Sequence, residues 1–279
     1  LPEKISAKEY APRRERDGYH YQMVKCKSCG LVRSDPIKDL KELSHLYEES
    51  ECTYSARHEN LPLQQTYGHY LEILVKRYRI PKGALLDIGC ANGFFLEKAL
   101  ELGFKEIAGV EPSTSAIQHA DKRVRSAIIE GMFADGMFPK ETFDVVCFFQ
   151  TLDHIGDPNT FLKDCFKVLK PGGFVLAINH NVGAISAKIM REKSPIIDIG
   201  HAYLYDLRTM RKIFKKNEFL VHDVFSVKNR LTLEYLIHLL PIQERLRQIL
   251  KWTAQKLKMS NVVLGLRIGN LGIIAQKPQ

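Results

Sequence analysis

Residues 84–93 read Ala84-Leu85-Leu86-Asp87-Ile88-Gly89-Cys90-Ala91-Asn92-Gly93, a short apolar run that meets one acid and then two glycines. Ala84, Leu85, Leu86 and Ile88 suit a strand buried on both faces. Gly89 and Gly93 let the backbone turn tightly and admit a ligand close to the chain. The amphipathic run from Phe94 to Leu102, closed by Gly103, supplies the helix that follows. A dinucleotide fold would ask for Gly-x-Gly-x-x-Gly and a phosphate loop for Gly-x-x-x-x-Gly-Lys-Ser/Thr. The spacing here is Asp87-x-Gly89-x-x-x-Gly93, with no lysine or hydroxyl placed to meet a phosphate.

Working downstream, Glu106 to Val110 reads as a second strand with Glu111 directly at its carboxyl end. A carboxylate there can accept both hydroxyls of a ribose. Phe143 to Gln150 is a further buried strand, running into Thr151-Leu152-Asp153-His154-Ile155. Asp157-Pro158 then caps a helix, proline being tolerated where its missing N–H costs nothing. That helix carries Phe161, Leu162, Cys165, Phe166 and Leu169 and stops at Lys170-Pro171-Gly172-Gly173, before a strand over Phe174 to Ile178. Strand and helix alternate through residue 180, which argues for a parallel sheet covered on both faces.

These ordered motifs, covering about residues 80–180, resemble the class I S-adenosylmethionine-dependent methyltransferases, whose ligand carries a sulfonium in place of a pyrophosphate. The resemblance implies an α/β, Rossmann-like fold: a seven-stranded, mostly parallel sheet with helices on both faces. The strands near Leu220–Val227 and Leu271–Ala275 would pair to complete it with one antiparallel member. It also implies the site. Asp87 would receive the cofactor's ammonium, the backbone around Gly89, Cys90, Ala91 and Gly93 would face its carboxylate and ribose, and Glu111 would hold the ribose, with Pro112, Ser113 and Thr114 opening the next helix. Where many members carry an acid after the third-strand glycine, Gly131 is followed here by Met132 and Phe133. That departure implies apolar packing around adenine, with the Phe133 backbone as polar contact and Asp135 as a substitute acid. Gln150 and Thr151 would line the methionine side. His154, just beyond the strand mouth, is the candidate base because its ordinary pKa suits proton exchange near neutrality. His180, His201 and Tyr205 fall where acceptor-binding loops of such enzymes lie.

The 279 residues, 45% of them hydrophobic, suffice for one core with appendages. The domain reading is an arm over 1–35, a helical lead-in over 36–80, and a catalytic domain over 81–279 interrupted at about 181–205 and 229–269. No apolar run approaches the eighteen residues of a membrane span. The first twenty residues are basic without an apolar segment, so a secretory signal is not expected and a cytoplasmic enzyme is. Cys147 and Cys165 fall on apolar faces and are expected as reduced core residues. Cys26-Lys27-Ser28-Cys29-Gly30 has the form of a zinc knuckle, but tetrahedral zinc needs two more ligands, and His20, His45 and Cys52 are only loosely spaced. The segment from Val24 to Val32, followed by Asp35-Pro36 and Leu46-Tyr47, resembles the zinc-binding arm that precedes many bacterial sugar methyltransferases. In that group another cysteine pair lies upstream, so Cys26 and Cys29 alone are expected to be an incomplete zinc site.

The net charge of +9 is uneven, because residues 241–279 hold seven Lys or Arg against Glu244, a local balance of +6. In the basic helical segment from about 241 to 257, Ile242, Leu246, Ile249, Leu250 and Leu257 fall near one helical face, with Arg245, Arg247, Lys251, Lys256 and Lys258 largely elsewhere. The plain reading is a domain helix with a solvated basic face; the functional one is peripheral contact with an anionic membrane. No aromatic-rich basic stripe accompanies the charge, so nucleic acid is not an expected partner. The expected reaction is methyl transfer to oxygen or nitrogen of a small acceptor. The arm and Gly200-His201-Ala202-Tyr203-Leu204 resemble their counterparts in glycan methyltransferases, which favours a nucleotide-linked or lipid-linked sugar. A quinone precursor is the enzymatic alternative, and a cofactor-binding module without turnover is the other.

Overall fold

The computed structural model describes residues 20–37, 57–240 and 242–279. Residues 84–88 form an interior strand, third of the seven in the sheet. β3 (Ala84–Ile88) is buried along its whole length. It pairs in parallel with β4 (Glu106–Glu111) on one side and with β6 (Phe143–Phe149) on the other. With β5 (Ile128–Glu130), β7 (Leu169–His180), β9 (Leu220–Ser226) and β12 (Asn270–Gln276), the order across the sheet is β5-β4-β3-β6-β7-β12-β9. β12 runs antiparallel to both its neighbours. The expected seven-stranded sheet with one reversed member is therefore present.

Alternation along β3 explains the two-sided core, since successive strand side chains point to opposite faces. Leu85 packs with Val145 and Cys147 against Tyr67, Leu71 and Leu74 of α1 (Arg57–Tyr78) and Phe95 and Leu96 of α2 (Phe94–Glu101). Leu86 and Ile88 pack on the other face, with Phe148, against Phe161, Leu162 and Cys165. Cys90, Cys147 and Cys165 are buried free thiols.

Two short helices, α3 (Thr114–Gln118) and α4 (Lys122–Arg125), connect β4 to β5. α5 (Pro158–Val168) starts as the sequence foretells, the Asp157 carboxylate accepting the Asn159 and Thr160 N–H groups with Pro158 in the first turn. β7 departs from the expected Phe174–Ile178. It begins at Leu169, which pairs with Phe143, and carries Pro171, Gly172 and Gly173 across a register shift before continuing to His180.

The segment after β7 holds α6 (Ile185–Met190), a 3₁₀ turn (Arg191–Lys193) and the two-residue strand β8 (Tyr203–Leu204). The arm is tied to it. β1 (Gln22–Lys25) and β2 (Val32–Asp35) form a hairpin, and β2 pairs with β8. α7 (Leu207–Lys216) then returns to the sheet behind an Asp206–Thr209 capping box. The insertion ahead of β12 contains β10 (Asn229–Thr232), α8 (Leu233–Leu239), α9 (Glu244–Lys256) and β11 (Val263–Leu266), with β10 and β11 forming a ribbon.

α9 follows the expected helical face only in part. Arg247 and Lys251 sit half-buried on the side of buried Ala254, whereas Ile249 is 51%, Trp252 56% and Leu257 63% exposed. Arg245 and Lys256 are exposed, as a solvated basic face requires, and Ile242 and Leu250 are half-buried, but Leu246 at 47% faces outward with Ile249 and Leu257. No helix among the described residues is long and apolar enough to cross a membrane.

Candidate active site

The parallel strands β3, β4 and β6 end side by side, so their carboxyl-terminal loops converge, as ligand-binding crevices of open α/β sheets require. Asp87 and Glu111 lie at two of these ends and are only 2% and 8% exposed. Glu111 is firmly held: Oε2 accepts the Ala91 N–H at 2.8 Å and Oε1 accepts the Ser113 N–H at 3.0 Å. Each oxygen keeps further acceptor capacity. Burial pushes the Glu111 carboxyl upward despite the N–H groups of Ser113 and Ala91. Asp87 Oδ1 is buried with no hydrogen-bond partner among the described residues. Burial, and then the neighbouring Glu111 charge, raises the Asp87 carboxyl well above its ordinary range. Two buried acids beside each other, one with an unmet acceptor among the described residues, form a site suited to a cationic donor.

The glycine loop is built by its own hydrogen bonds. Gly89 and Cys90 N–H both donate to the Val110 carbonyl, Ala91 N–H to Glu111, and Gly93 N–H to the Cys90 carbonyl. The amides of Gly89, Cys90 and Ala91, expected where the cofactor's carboxylate and ribose approach, each already have an internal acceptor. What the loop offers is its shape. Gly89 has φ +74°, and a Cβ there would come within 2.6 Å of Thr151 Oγ1. Ala91 and Gln150 also adopt positive φ, an uncommon conformation for residues with side chains. Cys90 turns its thiol inward, where a Cβ on Gly109 would meet Sγ at 2.7 Å, so only its backbone can border the pocket.

The remaining expected cofactor residues gather around this loop. Thr151 Oγ1 donates to the Ile88 and Phe149 carbonyls, which ties the end of β6 to the end of β3. Pro112 leads into Ser113, whose hydroxyl caps α3 by accepting the Ala116 N–H. The Gly131 N–H donates to the Glu111 carbonyl, bringing Met132 and Phe133 alongside the tip of β4, and the Phe133 ring stands edge-on to Phe161. Asp135 is not drawn in: its carboxylate pairs with Lys167 at 2.7 Å on the exposed side.

Beyond the mouth of β6 lies a cluster that the sequence presented only as separate residues. His154 Nδ1 is bonded to the Gly200 carbonyl at 2.9 Å, so its proton resides on Nδ1 and Nε2 is the basic nitrogen. Its ring lies 4.7 Å from that of His201, which in turn lies 4.6 Å from that of His180. His180 Nδ1 contacts the Asp153 carboxylate at 2.6 Å. Burial alone would raise the Asp153 carboxyl, but His180, with His201 and His154 behind it, holds it well below the usual carboxylate range. Burial and the neighbouring imidazoles push His201 down to about 3. Asp153, quoted within a motif but given no role, is the residue missed. Because β6 and β7 are adjacent and parallel, acids at the mouth of one and histidines at the end of the other must be neighbours, and that is the signal that could have revealed it.

The knuckle stands apart, on the β1–β2 turn. Cys26 is exposed, and its thiol, contacting the Ser28 hydroxyl at 3.1 Å, is lowered to about 6 by that contact and by the Ser28–Cys29 backbone. Arg208 closes the far side of the turn. Among the described residues no third metal-ligating side chain joins Cys26 and Cys29, and His45 and Cys52 lie outside the described residues.

The model of the methyltransferase domain family matches residues 63–224, more than half of the chain. The chain belongs to this methyltransferase family. Its sheet is that of the class I S-adenosylmethionine-dependent members. Among curated relatives, a ubiquinone biosynthesis O-methyltransferase of Caulobacter vibrioides is 38% identical over 120 residues, 39% of this chain and 46% of the relative. One of a Bradyrhizobium species is 37% identical over 101 residues, 35% and 40% of the two chains. The chain thus spans less than half the length of these curated relatives. Solved structures share the methyltransferase fold at low identity. The complex of the Haloferax volcanii Trm112 activator with a protein assigned as a methyltransferase aligns at TM-score 0.56 and 17% identity, over 81% of this chain and 96% of that one. A Bacillus halodurans protein assigned as a methyltransferase aligns at TM-score 0.52 and 17% identity, over 75% and 99%.

Proposed function

We propose that this methyltransferase moves a methyl group from S-adenosylmethionine to an oxygen of a small acceptor of the quinone-precursor type. The observation that carries the cofactor half is the Asp87–Glu111 pair: two buried carboxylates at adjacent strand ends, with Asp87 Oδ1 unmet, suit a ligand that brings an ammonium, a sulfonium and two ribose hydroxyls. When bound, the cofactor supplies a methyl group already activated on sulfur. The chain's own work is then positional. Asp87 receives the ammonium, Glu111 the ribose hydroxyls, and Met132 and Phe133 exclude water around the base. Gln150 and Thr151 border the side from which an acceptor approaches. His154, with Nε2 as its basic nitrogen, takes the acceptor's proton.

The acceptor half rests on the relatives, both of those described above being named ubiquinone biosynthesis O-methyltransferase. The nucleotide-linked or lipid-linked sugar expected from the arm has only that resemblance behind it, and a quinone precursor is the better-supported reading. A lipophilic acceptor also gives the outward face of α9 a use. Ile249, Trp252 and Leu257, with Lys256 over the Trp252 ring at 4.4 Å, suit peripheral contact with an anionic membrane. The test is transfer of labelled methyl to catechol-type acceptors and to nucleotide sugars in parallel. Product from the catechols alone supports this reading and product from the sugars alone reverses the acceptor assignment. Cofactor binding without product from either would make the chain a binding module.

A further inference from the structure

Three side chains from three separate segments meet beneath the acceptor side of the site. Asp153 follows β6, His180 ends β7, and His201 precedes β8; one carboxylate oxygen and one nitrogen from each ring lie within 4.8 Å of one another. We infer that Asp153, His180 and His201 form a binding site for a divalent first-row transition cation of the zinc or iron(II) kind, placed to polarise the acceptor hydroxyl.

The donor set comes first. The two borderline imidazoles, joined by one hard carboxylate, select such ions over calcium or magnesium. Three protein donors also leave coordination positions open, as metal sites that act on a substrate do and closed structural sites do not.

The surroundings orient these donors. His201 Nδ1 donates to the Ile196 carbonyl at 2.7 Å, which leaves Nε2 as its donor atom and fixes the ring, the arrangement that ligating histidines adopt. Asn179 donates to Asp153 Oδ1 at 2.9 Å and holds the carboxylate in place. The Ala202 and Tyr203 N–H groups both donate to the Asp153 carbonyl, fastening the His201 segment to the Asp153 turn. An ordinary ion pair would account for the 2.6 Å contact between His180 and Asp153. It gives no reason to bury a second imidazole against the first. Nor does it explain why Asn179 Oδ1 and Tyr205 Oη are buried without partners among the described residues. An ion carrying bound water would supply donors to such atoms. Binding would draw the three donors to separations of about 3.4 Å, the edge of a tetrahedron with bonds of about 2.1 Å. His154 stands beside the trio and is not one of the ligands.

The assigned task rests on the proposed methyl transfer, whereas the site itself is tested by binding. The full chain, stripped with chelator, is titrated with cobalt(II) while its visible d–d bands are recorded, and zinc retained after dialysis is counted by mass spectrometry. One ion per chain is expected. It should survive Cys26→Ser with Cys29→Ser, and His180→Gln should weaken it by about 10- to 100-fold or more. In that variant, calorimetry with S-adenosylhomocysteine should be unchanged. Should His180→Gln not fold, paramagnetically shifted imidazole protons in the cobalt-loaded wild type identify the ligands directly. A folded wild type that binds the cofactor product but retains neither cobalt nor zinc, or loses its ion with the two cysteines, overturns the site. An ion bound at the trio with no methyl transfer to any hydroxyl acceptor leaves the site standing and removes the proposed function. Methyl transfer that is unaffected by chelator and occurs in a metal-free chain does the reverse.

Discussion

Asp87→Asn should stabilise the ligand-free protein while weakening its hold on the cofactor, an opposition that few other substitutions would produce. In the wild type the Asp87 carboxylate is buried, has an unmet Oδ1 and faces the like charge of Glu111. An unsatisfied buried polar group costs about 1–3 kcal/mol, more when it is charged. Removing the charge without changing the shape should therefore raise the melting temperature by about 2–6 °C, at about 2 °C per kcal/mol for a chain of this length. The sign of the pH dependence follows. A carboxyl whose folded pKa is raised contributes its full stability below the unfolded value of about 3.9 and loses it as pH rises through the folded value. The advantage of the asparagine variant should thus be smallest near pH 4 and widen toward neutrality. Binding moves the other way. Loss of a charge-assisted bond to the cofactor's ammonium, about 1.5–3 kcal/mol, corresponds to a dissociation constant raised by about 10- to 100-fold. Thermal melts across pH and calorimetry with S-adenosylhomocysteine read both effects. A variant that melts lower at pH 7 and binds as tightly as wild type would refute the reasoning.

Other substitutions separate the remaining roles. Glu111→Ala strips the acceptor from the Ala91 and Ser113 N–H groups and, on the proposed function, from the ribose. Both melting temperature and cofactor affinity should fall, the latter by about 1–3 kcal/mol, in contrast to Asp87→Asn; an unchanged dissociation constant by calorimetry would remove Glu111 from the ribose site. If His154 takes the proton, His154→Gln should lower turnover by about 10²- to 10⁴-fold in a labelled-methyl assay with cofactor affinity nearly intact. Equal losses in both would reduce it to a brace for Gly200. Trp252→Glu on exposed α9 should abolish sedimentation with anionic vesicles and leave the melting temperature within about 0.5 kcal/mol of stability, as surface changes do. Retained sedimentation would rule out that face.

The parallel half of the sheet was legible because its strands are apolar runs that end in chemically distinctive residues. Ala84–Ile88 with Gly89, Glu106–Glu111, and Phe143–Phe149 each announce both a strand and its functional end. The residues expected to hold the cofactor are local to such ends, so Asp87, Glu111 and Thr151 could be placed at the ends of β3, β4 and β6 from the family resemblance. His180 and His201 could not. They lie 27 and 48 residues from Asp153, and only the β6–β7 pairing and the return of β8 bring the three together. The internal acceptors of the loop amides were hidden for a related reason: those for Gly89, Cys90 and Ala91 sit on β4, outside the motif. α9 was legible only in part, because a periodic pattern tells which residues share a face and not which face the rest of the chain covers. The ribbon strands β10 and β11, hidden in the insertion, gave no alternation strong enough to be seen.

The two residues of β8 are gripped from both sides, by the β2 hairpin across one edge and by the Asp153 carbonyl across the other. Tyr203 and Leu204 therefore act as a splice between the amino-terminal hairpin and the loop that carries His201. Trimming the first 35 residues to simplify expression would leave a raw strand edge at that splice and slacken the neighbouring imidazole. A shortened chain would report on a loosened acceptor side, and its kinetics should not stand in for those of the intact protein.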